Sequence, residues 1–140
     1  LIILDTNVVC EPIREAPSEA VKAWLDRQNF EQLFLTSVSV GELLVGVEIL
    51  PQGRRRDGLA AKIAVLLELF GQPRFLAFDV QAAKTYAVCV ARARAAGRAL
   101  SVADGQIAAI AAARGFSVAT RDAAPFEAAG VTVINPWDFG

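Results

Sequence analysis

Five short apolar runs alternate with longer stretches of helical period, and this alternation constrains the fold more than any other feature of the chain. The runs are LIILD (1–5), LFLTSV (33–38), FLAFD (75–79), SVAT (117–120) and VTVI (131–134). Each is bounded by polar, Gly or Pro signals and reads as a strand. Between them, SEAVKAWLDRQ (18–28) puts Val21, Trp24 and Leu25 on one helical face, and 40–50, 57–70, 80–96 and 102–114 follow the same spacing, with a short turn at 125–129. Strands that are apolar throughout are buried on both faces, so the expectation is an α/β layer sandwich around a mostly parallel sheet. A chain of 140 residues needs only one domain, 1–140, for such a core.

Several function classes fall on inventory. No apolar run approaches the roughly 18 residues of a membrane span. There is no histidine, and Cys10 and Cys89 lack CxxC spacing, which excludes zinc and His-based chemistry and leaves two thiols expected to be small buried hydrophobes. Neither GxGxxG nor GxxxxGK[ST] occurs. No signal-peptide pattern precedes the first strand, so a cytoplasmic, membrane-free protein is expected. A net charge of -1 argues against gripping nucleic acid by bulk positive potential. Yet eleven of the fourteen cations are arginines, suited to bidentate phosphate contacts. Arg54, Arg55 and Arg56 in the polar stretch PQGRRRDG are either a solvated helix entry or a contact for an anionic partner; Arg92, Arg94, Arg98 and Arg121 are further candidate phosphate contacts.

The chemistry lies in the acids. In this class of fold, strand C-terminal ends and helix N-terminal ends meet on one rim, where ligands bind. Asp5 ends the first strand, Glu42 is expected in the first helical turn after the second, Asp104 opens the helix SVADGQIAAIAAA, and Asp122 follows the fourth strand. Each has a structural explanation too. Ser39 to Glu42 and Ser101 to Asp104 both match a capping box; Asp122 sits where it would cap 125–129, and Asp5 where it would form an Asx-turn. Asp79 is a rival strand-end acid, read as the N-cap of the helix that follows it. Four carboxylates on one rim raise one another's pKa unless a cation neutralises them. An all-oxygen set selects Mg²⁺ or Mn²⁺ and suggests metal-assisted phosphodiester hydrolysis.

Taken in order and at these intervals, LIILDTNVV, SVGELLVGVEIL, SVADGQIAAIAAARG and VATRDAAPFEAAGVTVINPW resemble the PIN-domain ribonucleases, above all the VapC-type toxins of toxin–antitoxin pairs and their FitB-like branch. The resemblance implies a three-layer α/β/α fold with a five-stranded parallel sheet in order 3-2-1-4-5. It implies a metal site for Mg²⁺ (or Mn²⁺) at Asp5, Glu42 and Asp104 with Asp122 as fourth member, and Thr6, Asn7 and Thr120 as groups that orient carboxylates or waters. Many relatives place the last acid beside the Phe; here Asp122 takes the position of their Asn and Pro125 precedes Phe126, which leaves open whether Asp122 meets a metal directly or only through water. The resemblance further implies an RNA substrate, a homodimer, and a VapB/FitA-like antitoxin in a higher assembly that meets DNA only through the antitoxin. The surplus apolar surface of 59–70 and 80–96 fits burial against another subunit and plain core packing equally well. Trp137 and the NPW ending are expected to seal the sheet edge. The alternative is a weakly active or inactive PIN binding module that complexes a DNA-binding antitoxin for repression. A phosphotransfer domain with nucleophilic Asp5 fits poorly, since Asn7 stands where a second Asp is wanted and no Lys follows Lys84.

Overall fold

The computed structural model describes residues 1–140. Its strands are β1 (Ile2–Leu4), β2 (Leu33–Thr36), β3 (Phe75–Leu76), β4 (Ser117–Ala119) and β5 (Val133–Ile134). The helices are α1 (Thr6–Cys10), α2 (Glu19–Asp26), α3 (Ser37–Glu48), α4 (Arg54–Phe70), α5 (Val80–Ala95), α6 (Val102–Arg114) and α7 (Ala123–Ala128). Every strand pair is parallel and the order is β3-β2-β1-β4-β5, as expected.

The two-residue period of the strands builds two cores. Ile3, Phe34 and Val118 face a cluster with Cys89, Ile107, Ile110 and Phe126 from α5, α6 and α7. Their neighbours Leu4, Leu33, Leu35 and Ala119 face the opposite cluster, with Val8, Val9, Trp24, Leu43, Val47, Ile63 and Phe70 from α1 to α4. That is why the strands read as unbroken apolar runs. α6 buries Ile107 to Ala111 without a break, and its alanines admit α5 alongside. Cys89 is buried and Cys10 half-buried, both free thiols; burial raises both pKa values, so neither is primed for chemistry. No helix is long and apolar enough to cross a membrane.

β3, β5 and α7 differ in extent from the sequence reading, and three further differences have a local reason. β2 stops at Thr36, whose Oγ1 accepts from the Ser39 amide at 3.1 Å, so α3 starts at Ser37 rather than at 40. Residues 6–10 form a helix that the β-branched, apolar Val8-Val9 conceals: Asp5 caps it, and both valines are drawn into the core against their weak helix propensity. Finally, α4 begins at Arg54, the residue after Gly53, whose φ of 148° only glycine readily adopts.

Candidate active site

Asp5 stands at the C-terminal end of the central strand, with neighbours on both sides of the sheet. Its Oδ1 accepts from the Thr6 amide at 2.9 Å, and its Oδ2 accepts from the Thr120 hydroxyl at 2.8 Å. Thr120 is fully buried at the end of β4; its Oγ1 also accepts from the Asp122 amide at 3.1 Å and from Asn7 Nδ2 at 3.5 Å. Asn7 Oδ1 in turn accepts from the Arg121 amide at 3.3 Å. On the other side, the Thr6 hydroxyl donates to Glu42 Oε1 at 2.9 Å. Thr6, Asn7 and Thr120 thus form one hydrogen-bonded chain from Glu42 through Asp5 to the Thr120–Asp122 turn.

The acids divide by what else they do. The capping explanation fails for Glu42: with Thr36 as N-cap, Glu42 lies in the second turn of α3, not the first, and no acid occupies that first turn. Ser39, expected to cap, is instead fully buried, because Thr36 takes the role. Asp104 is the third residue of α6 and its amide donates to Ser101 Oγ at 3.1 Å; this is the forward half of a capping box. Asp122 occupies the N-cap position of α7 but its side chain makes no cap bond. Asp5 caps α1 through the next amide rather than through the Asx-turn two residues on. Asp79 caps α5, accepting from the Ala82 amide at 2.9 Å. It lines a cavity of about 220 Å³ with Ala113 and Arg114, at the opposite end of α6 from Asp104.

Repulsion from neighbouring acids falls on Asp5 and Asp104. Burial pushes the Asp5 carboxyl above the usual range; the Thr120 hydroxyl and Thr6 amide pull it down, and the charges of Asp104 and then Glu42 push it up again. Burial likewise raises Asp104, the Ser101 hydroxyl opposes this, and the charge of Asp122 adds to it. None of the four acids is ion-paired, since the ion pairs of the chain are Arg14–Glu11, Lys22–Glu19 and Arg56–Glu48. As placed, no three acids stand close enough to cage a metal unaided. An open, unneutralised oxygen set fits a hard cation that keeps several waters and uses only one or two carboxylates directly.

Gly105 follows Asp104 for a steric reason. A Cβ at this position would lie 2.8 Å from Cε1 of Tyr86, whose ring packs edge-on against Phe78. Gly105→Ala is expected to lower the melting temperature, although alanine ordinarily favours a helix by about 1 kcal/mol. In a Tyr86→Leu background the same change should raise it, and thermal denaturation of the four proteins in the cycle checks both signs.

Sequence reasoning missed Glu11, a buried carboxylate just after α1. It accepts from the Ser18 amide at 2.9 Å and from Arg14 Nη1 at 3.0 Å, tying the end of α1 to the start of α2; an acid among apolar neighbours was the only signal. The arginine run is part of α4. Arg56 pairs with Glu48 at 2.9 Å, while Arg54, Arg55 and Lys62 line a cleft of about 460 Å³ with Gly46, Leu50 and Gly58.

Acids at the ends of a parallel 3-2-1-4-5 sheet define a class, and residues 2–131 match the PIN domain family, to which the chain belongs. It is 49% identical, over 99% of both chains, to the plasmid stability protein StbB of Pseudomonas syringae pv. tomato. It is 46% identical, again over 99% of both, to the VapC ribonuclease Y4jK of Sinorhizobium fredii. The solved structure of FitAB bound to an IR36 DNA fragment superposes with a TM-score of 0.93 at 38% identity, covering 100% of this chain and 98% of that one. Within the family the chain sits with the VapC-type proteins of the FitB-like branch.

Proposed function

We propose that the chain is a Mg²⁺- or Mn²⁺-dependent endoribonuclease and the toxin of a toxin–antitoxin pair. The observation that carries this reading is the rim of carboxylates around Asp5, tied together by Thr6 and Thr120 and without an ion-pair partner in the chain. Asp5 and Asp104 are the two metal ligands best supported, because they are the more buried and the charge of Asp104 acts on Asp5 ahead of that of Glu42. Glu42 and Asp122, both exposed, complete the field through water. A bound divalent ion would supply Lewis-acid charge and an activated water to a phosphodiester. The chain itself orients: Thr120 and the Thr6 amide fix both oxygens of Asp5, Thr6 fixes Glu42, and Asn7 ties the β4 end to α1.

The VapC-type relatives and the likeness to the DNA-bound FitAB complex support a VapB/FitA-like antitoxin as partner, with DNA reached only through it, and a cytoplasmic site of action. Exposed Leu44 and Val45 on α3, Ile49 just after it, Val65 and Leu69 on α4 and Val80 and Val88 on α5 are apolar side chains that a second subunit would cover, which supports a homodimer. The test is cleavage of RNA by the purified chain. Turnover should appear with Mg²⁺ or Mn²⁺, stop with EDTA and return on adding metal back. Cleavage that is indifferent to EDTA, or no cleavage with antitoxin binding intact, rejects the reading.

A further inference from the structure

The arginines sort by what their donors do, and one stands apart. Arg74 stacks over Phe30, its Cζ 4.7 Å from the ring centroid, and its Nη1 donates to the carbonyls of Phe30 and Leu33 at 3.1 and 3.2 Å; it is a structural brace. Arg14 and Arg56 are spent on Glu11 and Glu48. Arg121 stacks in the same way, its Cζ 5.0 Å from the Trp137 ring centroid, but its side chain enters no hydrogen bond or ion pair, and it is exposed. Arg27 over Phe139 also has free donors, yet nothing ties its backbone to the acidic rim. The Arg121 backbone is tied there: its amide donates to Asn7 Oδ1, between Thr120, which holds Asp5, and Asp122.

Resting on the nuclease reading above, we infer that Arg121, stacked on Trp137, grips an RNA phosphate next to the one cut. An acidic rim repels a polyanion, and a chain of net charge -1 has no bulk positive field to overcome this, so approach depends on a cation placed locally. Stacking uses the face of the guanidinium and leaves the in-plane N–H fork free for phosphate oxygens. It also restricts the long side chain before RNA arrives, which lowers the ordering cost of the contact. The guanidinium forms no ion pair with any of the four carboxylates. It therefore leaves their field for the metal and reaches a flanking phosphate. Trp137 is then a positioning residue. It packs, half-buried, against the core shared with α1 to α4 and carries the arginine.

The test uses a fluorescent single-stranded RNA oligonucleotide with Mg²⁺. Arg121→Ala should raise KM about tenfold, the size of one charge-assisted hydrogen-bonded contact, and leave kcat within about threefold. In an Asp5→Asn background with EDTA, Arg121→Ala should flatten the slope of log binding constant against log salt by about 0.7, one phosphate contact on a single strand. Arg121→Lys should restore that slope and only part of KM. Trp137→Leu should copy the KM of Arg121→Ala, with Trp137→Phe between it and wild type, and the double variant should be no worse than Arg121→Ala alone. An active wild type whose Arg121→Ala variant keeps its KM and salt slope overturns the proposal and spares the nuclease reading. A Trp137→Leu protein that loses melting temperature at unchanged KM overturns the positioning role. A wild type that neither cleaves nor binds RNA removes the nuclease reading and this proposal together.

Discussion

Asp5→Asn is expected to abolish RNA cleavage, by about a thousandfold or more, and to raise the melting temperature of the metal-free protein. The first effect follows from removing the most buried ligand of the proposed site, a loss of at least about 4 kcal/mol of transition-state stabilisation. The second follows from the direction of its pKa. Asp5 is raised in the fold, first by burial, so ionising it costs stability. That cost is absent below the unfolded carboxylate value of about 3.9, grows as pH rises through the folded value, and stays constant above it. Asparagine keeps the oxygen that accepts from the Thr6 amide and carries no such cost. The melting gap between variant and wild type should therefore be positive at pH 7 and close in acid, in EDTA buffer. Adding Mg²⁺ should stabilise wild type alone. A variant within tenfold of wild-type activity, or one stabilised equally by Mg²⁺, removes Asp5 from the site.

Glu11→Ala should be the most destabilising change outside the apolar cores. It deletes the acceptor of the half-buried Ser18 amide and the partner of Arg14; a hydrogen bond to a charged group contributes about 1.5–3 kcal/mol. For a domain of this size that is a drop of roughly 5–10 °C. The pH signature is opposite to that of Asp5. The Ser18 amide, ahead of Arg14, holds the Glu11 carboxyl below its usual range. Its contribution is present above the unfolded value, about 4.3, and is lost as pH falls through the folded value. Wild type and Glu11→Gln should thus converge on acidification, checked by urea midpoints from pH 7 down to pH 3. Gaps that widen in acid contradict the assigned cause.

Much of this is legible in the residues alone. The five apolar runs become five strands because both faces of a parallel sheet are covered, a property visible in Ile3 and Leu4 by themselves. The strand order, by contrast, comes from the family resemblance, since no local pattern tells β1 whether β2 or β4 lies beside it. The position of Asp5 is readable as a strand end; its bond to Thr120 is not, because a contact across 115 positions leaves no periodic trace. The Ser39 cap is misplaced because Thr36 offers the same chemistry three residues earlier, and only the length of β2 decides between them. Helix α1 is hidden since Val8 and Val9 are chosen for the core they enter, not for the helix they form. Glu11 looks like one more surface acid until the Ser18 amide and Arg14 are seen to hold it.

The ties between Asn7 and Thr120, between Arg121 and Asn7 and between Thr120 and Asp5 make the rim a joint between early-made and late-made parts of one polypeptide. A nascent chain carries Asp5 for 115 positions before Thr120, its clamp, is made and β4 can dock. On the nuclease reading, destructive capacity would therefore arrive only once β4 is in place. Any premature stop before Thr120 should leave a harmless fragment.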